Sequence, residues 1–98
     1  MDEKRYCVYN MTNKFNTVLY TGVTNNLRRR VLEHRSGKGS KFSSKYNVFK
    51  LVFFECGENA EMAIHREKQI KAGSRKKKLE LINRMNPNWD DLFEEYFG

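Results

Sequence analysis

The chain of 98 residues lacks several features that would mark particular classes of protein. No apolar run reaches the length of about 18 residues that a membrane-spanning helix needs, so no membrane partner is expected. The N-terminal stretch Met1–Arg5 lacks the apolar segment of a signal peptide. No stretch rich in proline, glycine and serine interrupts the sequence. We therefore expect a soluble, cytoplasmic protein with a single domain over residues 1–98.

Cysteine is scarce, with only Cys7 and Cys56 in the chain. Both residues fall in apolar strand patterns and lie far apart in the sequence. Two isolated cysteines predict neither a disulfide framework nor a zinc site. We expect both to be buried free thiols.

Acidic residues are few outside the C-terminus. The chain has 19 Lys and Arg against 12 Asp and Glu, and four of the acids lie in the last ten residues, which hold no base. Residues 1–88 therefore carry 19 bases and 8 acids. This excess favours a polyanionic partner, most commonly nucleic acid, whereas the alternative is that the charge serves solubility alone. Clustering of bases at 28–30 and 75–78 favours nucleic acid.

The sequence periods predict an α+β fold, in which a small three-stranded antiparallel sheet is flanked by helices. Strands are predicted over residues 6–11, 18–23 and 48–56. Helices are predicted over residues 25–36, 60–71 and 75–85, with a short C-terminal helix over 89–96. The element order is thus β-β-α-β-α-α followed by the short helix. The third strand is the most apolar, so we expect it at the centre of the sheet, and residues 36–41 are expected to be a flexible connection.

Five polar side chains stand out against these patterns. Tyr9 and Tyr20 fall on one face of the predicted hairpin. Arg30 and His34 share a helix face with apolar residues, and Glu67 continues a stripe formed by residues 60, 63 and 64. A charge that faces a core is costly unless it has a partner or a function. One alternative is a buried Arg30–Glu67 ion pair that only fixes the packing, but the five together favour phosphodiester cleavage.

In their order these residues resemble the GIY-YIG nuclease domain, and the resemblance covers nearly the whole chain. The two name motifs correspond to Cys7-Val8-Tyr9 and Tyr20-Thr21-Gly22, with Cys7 in place of glycine and Thr21 in place of isoleucine. The resemblance matches the family arginine, histidine and metal-binding glutamate to Arg30, His34 and Glu67. Stretches at 19–24, 45–47 and 85–89 are similar to small standalone bacterial members.

The resemblance implies a metal-dependent endonuclease. A single Mg²⁺ or Mn²⁺ would be held by Glu67, water and the substrate, and Arg30 would bind the scissile phosphate. Tyr20 would act as the base or orient the attacking water, although a phenol needs nearby cations to serve as a base. His34 would hydrogen-bond Tyr20 or carry a proton, and Tyr9 would hold the water or the phosphate.

Two groups of residues are expected to support this chemistry. Asn86, with Asn83 as the alternative match, would steady the site, and Gly22 would allow a bulge or a close approach of the backbone. Basic residues would contact the nucleic-acid backbone; they are Arg28, Arg29, Lys41, Lys45, Lys76, Lys77 and Lys78.

The leading hypothesis is therefore an endonuclease of repair or nucleic-acid turnover that acts on DNA rather than RNA. The alternative is a nucleic-acid-binding module that cuts weakly or not at all and acts with a larger partner. A third possibility is a subunit that docks on a repair protein through its aromatic-rich C-terminal segment.

Overall fold

The computed structural model describes residues 5–97, so Met1–Lys4, which form most of the stretch considered for a signal peptide, and Gly98 lie outside the described residues. The strands are β1 (Tyr6–Thr12), β2 (Leu19–Thr24) and β3 (Lys50–Gly57). The helices are α1 (Leu27–Arg35), α2 (Lys41–Lys45), α3 (Ala60–Ala72), α4 (Arg75–Met85) and α5 (Leu92–Phe97). The α+β class with an antiparallel three-stranded sheet is confirmed. Within residues 5–97, no helix combines the length and apolar character needed to cross a membrane.

The strand order is β2-β1-β3, so the prediction that the third strand is central was wrong. The central strand is β1, in which every residue from Cys7 to Thr12 is buried. In β3 the apolar residues Leu51, Val52 and Phe53 are buried, but Glu55 is exposed. An apolar composition indicates that both faces of a strand are covered. It does not indicate whether neighbouring strands pair with both of its edges.

The hairpin register places the two tyrosines on one face of the sheet. Tyr9 pairs with Gly22 and Met11 pairs with Tyr20, so Tyr9 and Tyr20 are diagonal neighbours on adjacent strands. Their ring centroids are 6.1 Å apart. The predicted side-by-side arrangement is confirmed.

Helices cover the two faces of the sheet separately. On the first face, Leu27 and Val31 of α1 and Leu92 of α5 pack with Tyr9 and Met11. On the second face, residues of α3 and α4 pack with β1 and β3; they are Ala63, Ile70, Ile82, Val8 and Phe53. A buried Arg30–Glu67 ion pair would require α1 and α3 in one layer, whereas these helices approach the sheet from opposite sides.

Two short helices differ from the prediction. Residues 41–45 form α2, which overlaps the end of the connection predicted over residues 36–41, and Ser40 caps it by accepting a hydrogen bond from the Ser43 N–H at 3.0 Å. Helix α5 begins at Leu92 rather than at 89, because Trp89 adopts a φ of 56°, outside the helical region. Asp91 supplies a hydrogen-bond acceptor at the start of α5, since its carboxylate accepts from the Phe93 N–H at 3.1 Å.

The longer helices begin close to the predicted positions. Asn59 caps α3, and Ser74 caps α4. Helix α1, predicted to begin at residue 25, begins at Leu27 and is capped by Asn26, whose side chain accepts from the Arg29 N–H at 3.0 Å.

The prediction of two free thiols was wrong, because Cys7 and Cys56 form a disulfide. These residues are 49 positions apart in the sequence, but they face each other across the antiparallel pair β1 and β3. The sequence could not reveal this pairing, because it does not give the strand register that places the two cysteines opposite each other.

Candidate active site

A buried hydrogen bond between Tyr9 and His34 lies at the centre of the candidate site. The Tyr9 hydroxyl and His34 Nε2 are 2.8 Å apart, and the two residues are 0% and 2% exposed. Strand β1 directs Tyr9 toward α1, where His34 lies one turn after Val31 on the buried face. The predicted partner of His34 was Tyr20, but the Tyr20 ring instead packs edge-on against the imidazole, with centroids 4.7 Å apart.

Burial decides the ionisation of this pair. Burial, together with the neighbouring Tyr20 hydroxyl, raises the pKa of Tyr9, so Tyr9 stays a neutral phenol. Burial and the positive charge of Arg30 lower the pKa of His34 to about 4, so its imidazole is neutral at pH 7. A fully buried Tyr9 does not suit the predicted contact with water or phosphate. Its hydroxyl fixes the position of His34.

Arg30 forms the charged part of the cluster. Its Nη1 donates to Glu33 Oε1 at 3.0 Å and its Nη2 donates to the Gly39 carbonyl at 2.7 Å. Burial alone would lower the pKa of Arg30, but the hydrogen bond with Glu33, together with the neighbouring tyrosines, raises the pKa. The side chain remains 28% exposed, so the guanidinium can reach a phosphate. Glu33, which lies three residues further along α1, orients this arginine.

Two glycines allow the side chains of the cluster to pack closely against the backbone. A Cβ at Gly22 would lie 2.6 Å from the Tyr9 hydroxyl, which agrees with the predicted close approach. A Cβ at Gly39 would lie 2.3 Å from Nδ1 of His34, a buried nitrogen without a hydrogen-bond partner in the described residues. Sequence reasoning missed Gly39 because the segment containing it reads as a flexible connection.

Glu67 is separated from the other four residues. It lies on α3 between the buried residues Ala63 and Ile70, and its side chain is 13% exposed. The predicted apolar stripe of residues 60, 63 and 64 does not face the core as a whole, since Ile64 is 45% exposed. Among residues 5–97 the ionic partner of Glu67 is Lys71, at 3.6 Å, and no hydrogen bond or ion pair joins Glu67 to Arg30. The structure thus brings together Tyr9, Tyr20, Arg30 and His34 and leaves Glu67 on the other face of the sheet.

The donors around Glu67 fit one weakly held cation. No group of three or more His, Cys, Asp or Glu in the described part of the chain is arranged to hold a metal ion. Among residues 5–97 the polar partner of the carboxylate is Lys71, at 3.6 Å, so its lone pairs are largely available to a cation. Mg²⁺ is commonly bound through one or two carboxylates, with water and substrate phosphate completing the shell. Glu67 suits that mode, and its role as a metal ligand stays a prediction.

Comparison with known proteins decides the family. The family model of the GIY-YIG catalytic domain matches residues 5–80. The chain belongs to the GIY-YIG family. A UPF0213 protein of Clostridium perfringens is 46% identical over 65 residues, which cover 66% of this chain and 70% of that one. A UPF0213 protein of Staphylococcus haemolyticus is 37% identical over 78 residues, which cover 80% and 94%.

A solved structure is also similar. The solution NMR structure of a UPF0213 protein from Bacillus halodurans is 29% identical and has a TM-score of 0.58, with 96% of this chain and 99% of that chain covered. The relatives are small proteins like this one, which agrees with the predicted standalone type of GIY-YIG protein.

The GIY-YIG match ends before Asn86, and the structure gives that residue a different setting. Asn86 ends α4, and its amide donates to the carbonyls of Val52 at 3.2 Å and Asp90 at 2.8 Å. It therefore ties the chain between α4 and α5 to β3. No hydrogen bond in residues 5–97 links it to the tyrosine, arginine and histidine cluster. Asn83 accepts from the Trp89 indole at 2.6 Å and is likewise occupied.

The predicted nucleic-acid contacts fall into two groups on this GIY-YIG fold. The first, named here the proximal group, lies on α1 and α2 near the cluster and consists of Arg28, Arg29, Lys41 and Lys45, all exposed. The second, named the distal group, lies on α4 against the opposite face of the sheet and consists of Lys76, Lys77 and Lys78.

Proposed function

We propose that this GIY-YIG chain is a divalent-metal-dependent endonuclease that hydrolyses phosphodiester bonds in DNA, in repair or nucleic-acid turnover. The observation that carries the proposal is the convergence of Tyr9, Tyr20, Arg30 and His34 in one cluster. Tyr9 and His34 are buried, whereas Tyr20 and Arg30 are partly exposed. The cluster therefore has a fixed interior and a reactive side that a substrate can reach.

Each residue of the cluster has a distinct role. Arg30 binds the scissile phosphate and stabilises the negative charge that grows on it, because its guanidinium is held in place by Glu33 and the Gly39 carbonyl. Tyr20 orients the attacking water or accepts its proton. His34, neutral and hydrogen-bonded to Tyr9, packs against the Tyr20 ring and fixes its orientation.

Glu67 would hold the metal ion, which supplies a Lewis acid for the phosphate when it is bound. Helix α3 contacts both β1 and the edge strand β2 on the second face. Tyr20 belongs to the same edge strand but projects on the first face. A nucleic acid that lies along the β2 edge would therefore meet Arg30 and Tyr20 from one side and Glu67 from the other.

A second function is favoured by the same separation. In the described residues no hydrogen bond or ion pair joins Glu67 to the four clustered residues. The chain would therefore serve as a nucleic-acid-binding module that cuts weakly if no substrate draws these groups together. A larger repair protein would then supply targeting or the missing catalytic groups.

A cleavage assay with matched variants tests the proposal. Single-stranded, duplex, nicked and branched DNA and RNA are incubated with Mg²⁺, Mn²⁺ or EDTA. We expect metal-dependent cutting of DNA that Glu67→Ala abolishes, while Glu61→Ala, an exposed acid on the same helix, leaves it intact. Arg30→Ala should slow cutting by about 10²–10³, the usual loss of one pre-placed donor, and the exposed Arg28→Ala should cost far less.

Several results would contradict the proposal. Cutting that resists EDTA, or full activity in a folded Glu67→Ala protein, would remove Glu67 as the metal ligand. Equal losses for Arg28→Ala and Arg30→Ala would reduce Arg30 to one backbone contact among several. Tight binding of DNA without any cutting would favour the binding module.

A further inference from the structure

A row of aromatic rings runs from the buried cluster to the surface. The centroid distances are 6.1 Å from Tyr9 to Tyr20, 6.0 Å from Tyr20 to Phe42, and 4.8 Å from Phe42 to Tyr46. Tyr9 is buried, but Phe42 and Tyr46 are each 40% exposed. The last two rings thus present apolar surface to solvent directly beside Tyr20.

Helix α2 is built so that these two rings stay exposed. Ser43, which is 1% exposed, anchors the helix, and Ser40 caps it. Phe42 and Tyr46 are four positions apart and therefore lie on one side of the turn. The Tyr46 N–H donates to the Phe42 carbonyl at 3.0 Å, which fixes their relative position. An exposed aromatic pair held in this way marks an interaction surface.

The segment that carries the pair has basic residues and no acidic ones. Residues 36–50 contain four lysines and no acidic residue. Lys38, Lys41 and Lys45 line an open cleft on α2, and Lys45 Nζ lies 5.3 Å from the centroid of the Tyr46 ring. Exposed rings interleaved with cations are the recurrent design of surfaces that bind single-stranded nucleic acid, because every base has a face that can stack.

We propose that Phe42 and Tyr46 form a stacking platform for unpaired nucleobases, and that Lys41 and Lys45 bind the phosphates of the same nucleotides. The inference rests on the proposed function and specifies its substrate class. The strand that enters the site is single-stranded, or carries an unpaired nucleotide beside the scissile bond. A fully paired duplex does not serve, because its base faces are hidden in the stack.

The platform is tested by binding of a strand with and without its bases. Fluorescence anisotropy in EDTA, which prevents metal-dependent cutting, measures the affinity for a single strand of about 12 nucleotides, a strand with a central run of abasic sites, and the matching duplex. The strands are made as DNA and as RNA. The proteins are the wild type, the Phe42→Leu/Tyr46→Leu double variant and Phe15→Leu, each checked for folding by circular dichroism.

Phe15 is the matched control, since it is 74% exposed and lies beside Lys14, but in the turn between β1 and β2. We expect the wild type to bind the intact strand at least about tenfold more tightly than the abasic strand, as stacking energies imply. The double variant should lose this preference and bind the abasic strand as the wild type does. Phe15→Leu should behave as the wild type.

The inference would be overturned if the double variant still bound the intact strand more tightly than the abasic strand. It would also be overturned if the wild type bound these two strands equally, or bound the duplex more tightly than the single strand. Base-independent binding combined with Glu67-dependent cutting would overturn the platform and leave the proposed function standing. Failure of the wild type to bind any of these nucleic acids would overturn both.

Discussion

At the scale of single residues, the sequence identified polar side chains on apolar faces but not their partners. Arg30 and His34 were predicted from helical spacing, and both lie on the packed side of α1. The hydrogen bond of Arg30 to the Gly39 carbonyl depends on how the chain after α1 folds back, which no periodicity encodes, whereas Glu33 lies at i+3 on the same helix. Hydrogen-bond partners depend on tertiary geometry. His34 was expected to hydrogen-bond Tyr20, whereas in the structure it pairs with the neutral Tyr9.

The buried His34 makes stability depend on pH in a defined window. Its pKa is about 4 in the folded protein and about 6.5 in an unfolded chain. Between these values the unfolded state binds the additional proton, so the free energy of unfolding falls as pH drops from about 6.5 to about 4. The full loss from this group would be on the order of 3 kcal/mol, reached near pH 4.

Urea denaturation of wild type and His34→Gln at pH 7, 6, 5 and 4.5 measures this dependence. The variant should be less stable at pH 7 but should lose less stability on acidification. His65→Gln is the control, because His65 is exposed on α3 and should leave the wild-type slope unchanged. Parallel pH profiles for the wild type and His34→Gln would show that His34 is not held neutral.

At the scale of elements, long periodic segments were predicted well, whereas α2 was missed and the short C-terminal helix was predicted to begin three residues too early. Helices α3 and α4 are 13 and 11 residues long, and their caps and lengths follow from the sequence. Helices α2 and α5 have 5 and 6 residues, too few for a 3.6-residue period to be distinguished from chance. The centre of the sheet was misassigned because β3 is apolar on both faces although it lies at an edge.

The C-terminal helix α5, predicted as a short helix over residues 89–96, belongs to the core. Phe93 is 6% exposed and lies under the guanidinium of Arg35, 4.6 Å from its ring centroid. Asp91 pairs with Arg35 and accepts from the Leu51 N–H at 3.2 Å. The helix is thus joined to α1 and β3 by apolar and polar contacts, rather than extending as an acidic tail.

Removing the Phe93 ring should therefore be costly. Phe93→Ala should lower the free energy of unfolding by about 3–5 kcal/mol, since a buried ring leaves a cavity. Tyr96→Ala on the same helix is the control and should cost clearly less, because Tyr96 is 56% exposed. Chemical denaturation compares the two. Similar small losses would mean that α5 detaches readily, which would favour the partner-docking role for this segment.

At the scale of the whole molecule, the positive charge is divided between two sides of the sheet. The proximal group adjoins the tyrosine and arginine cluster, and the distal group lies on α4 across the sheet. The sequence predicted both groups as contacts but could not show their separation, because charge runs carry no information on which face a helix covers. The described residues extend 37 × 28 × 26 Å, so one nucleic acid must pass around the molecule to meet both.

The stiffness of the nucleic acid then decides which lysines it contacts. Duplex DNA has a persistence length of about 50 nm and stays straight over this molecule, whereas a single strand can follow its surface. Each phosphate contact adds about 0.9 to the slope of log affinity against log salt on duplex DNA and about 0.7 on a single strand. Removing Lys41 and Lys45 of the proximal group should therefore lower the slope on both substrates.

Removing the distal group, with Lys76, Lys77 and Lys78 changed to Ala, should lower the slope by up to about 2 on a single strand of about 20 nucleotides and leave it nearly unchanged on a duplex of equal length. Titrations between about 50 and 200 mM salt give the slopes, because affinity falls steeply over that range. An unchanged slope on both substrates would make the distal group a solvated helix face. An equal decrease on both would mean that the two groups border one straight path, so the strand need not bend to reach them.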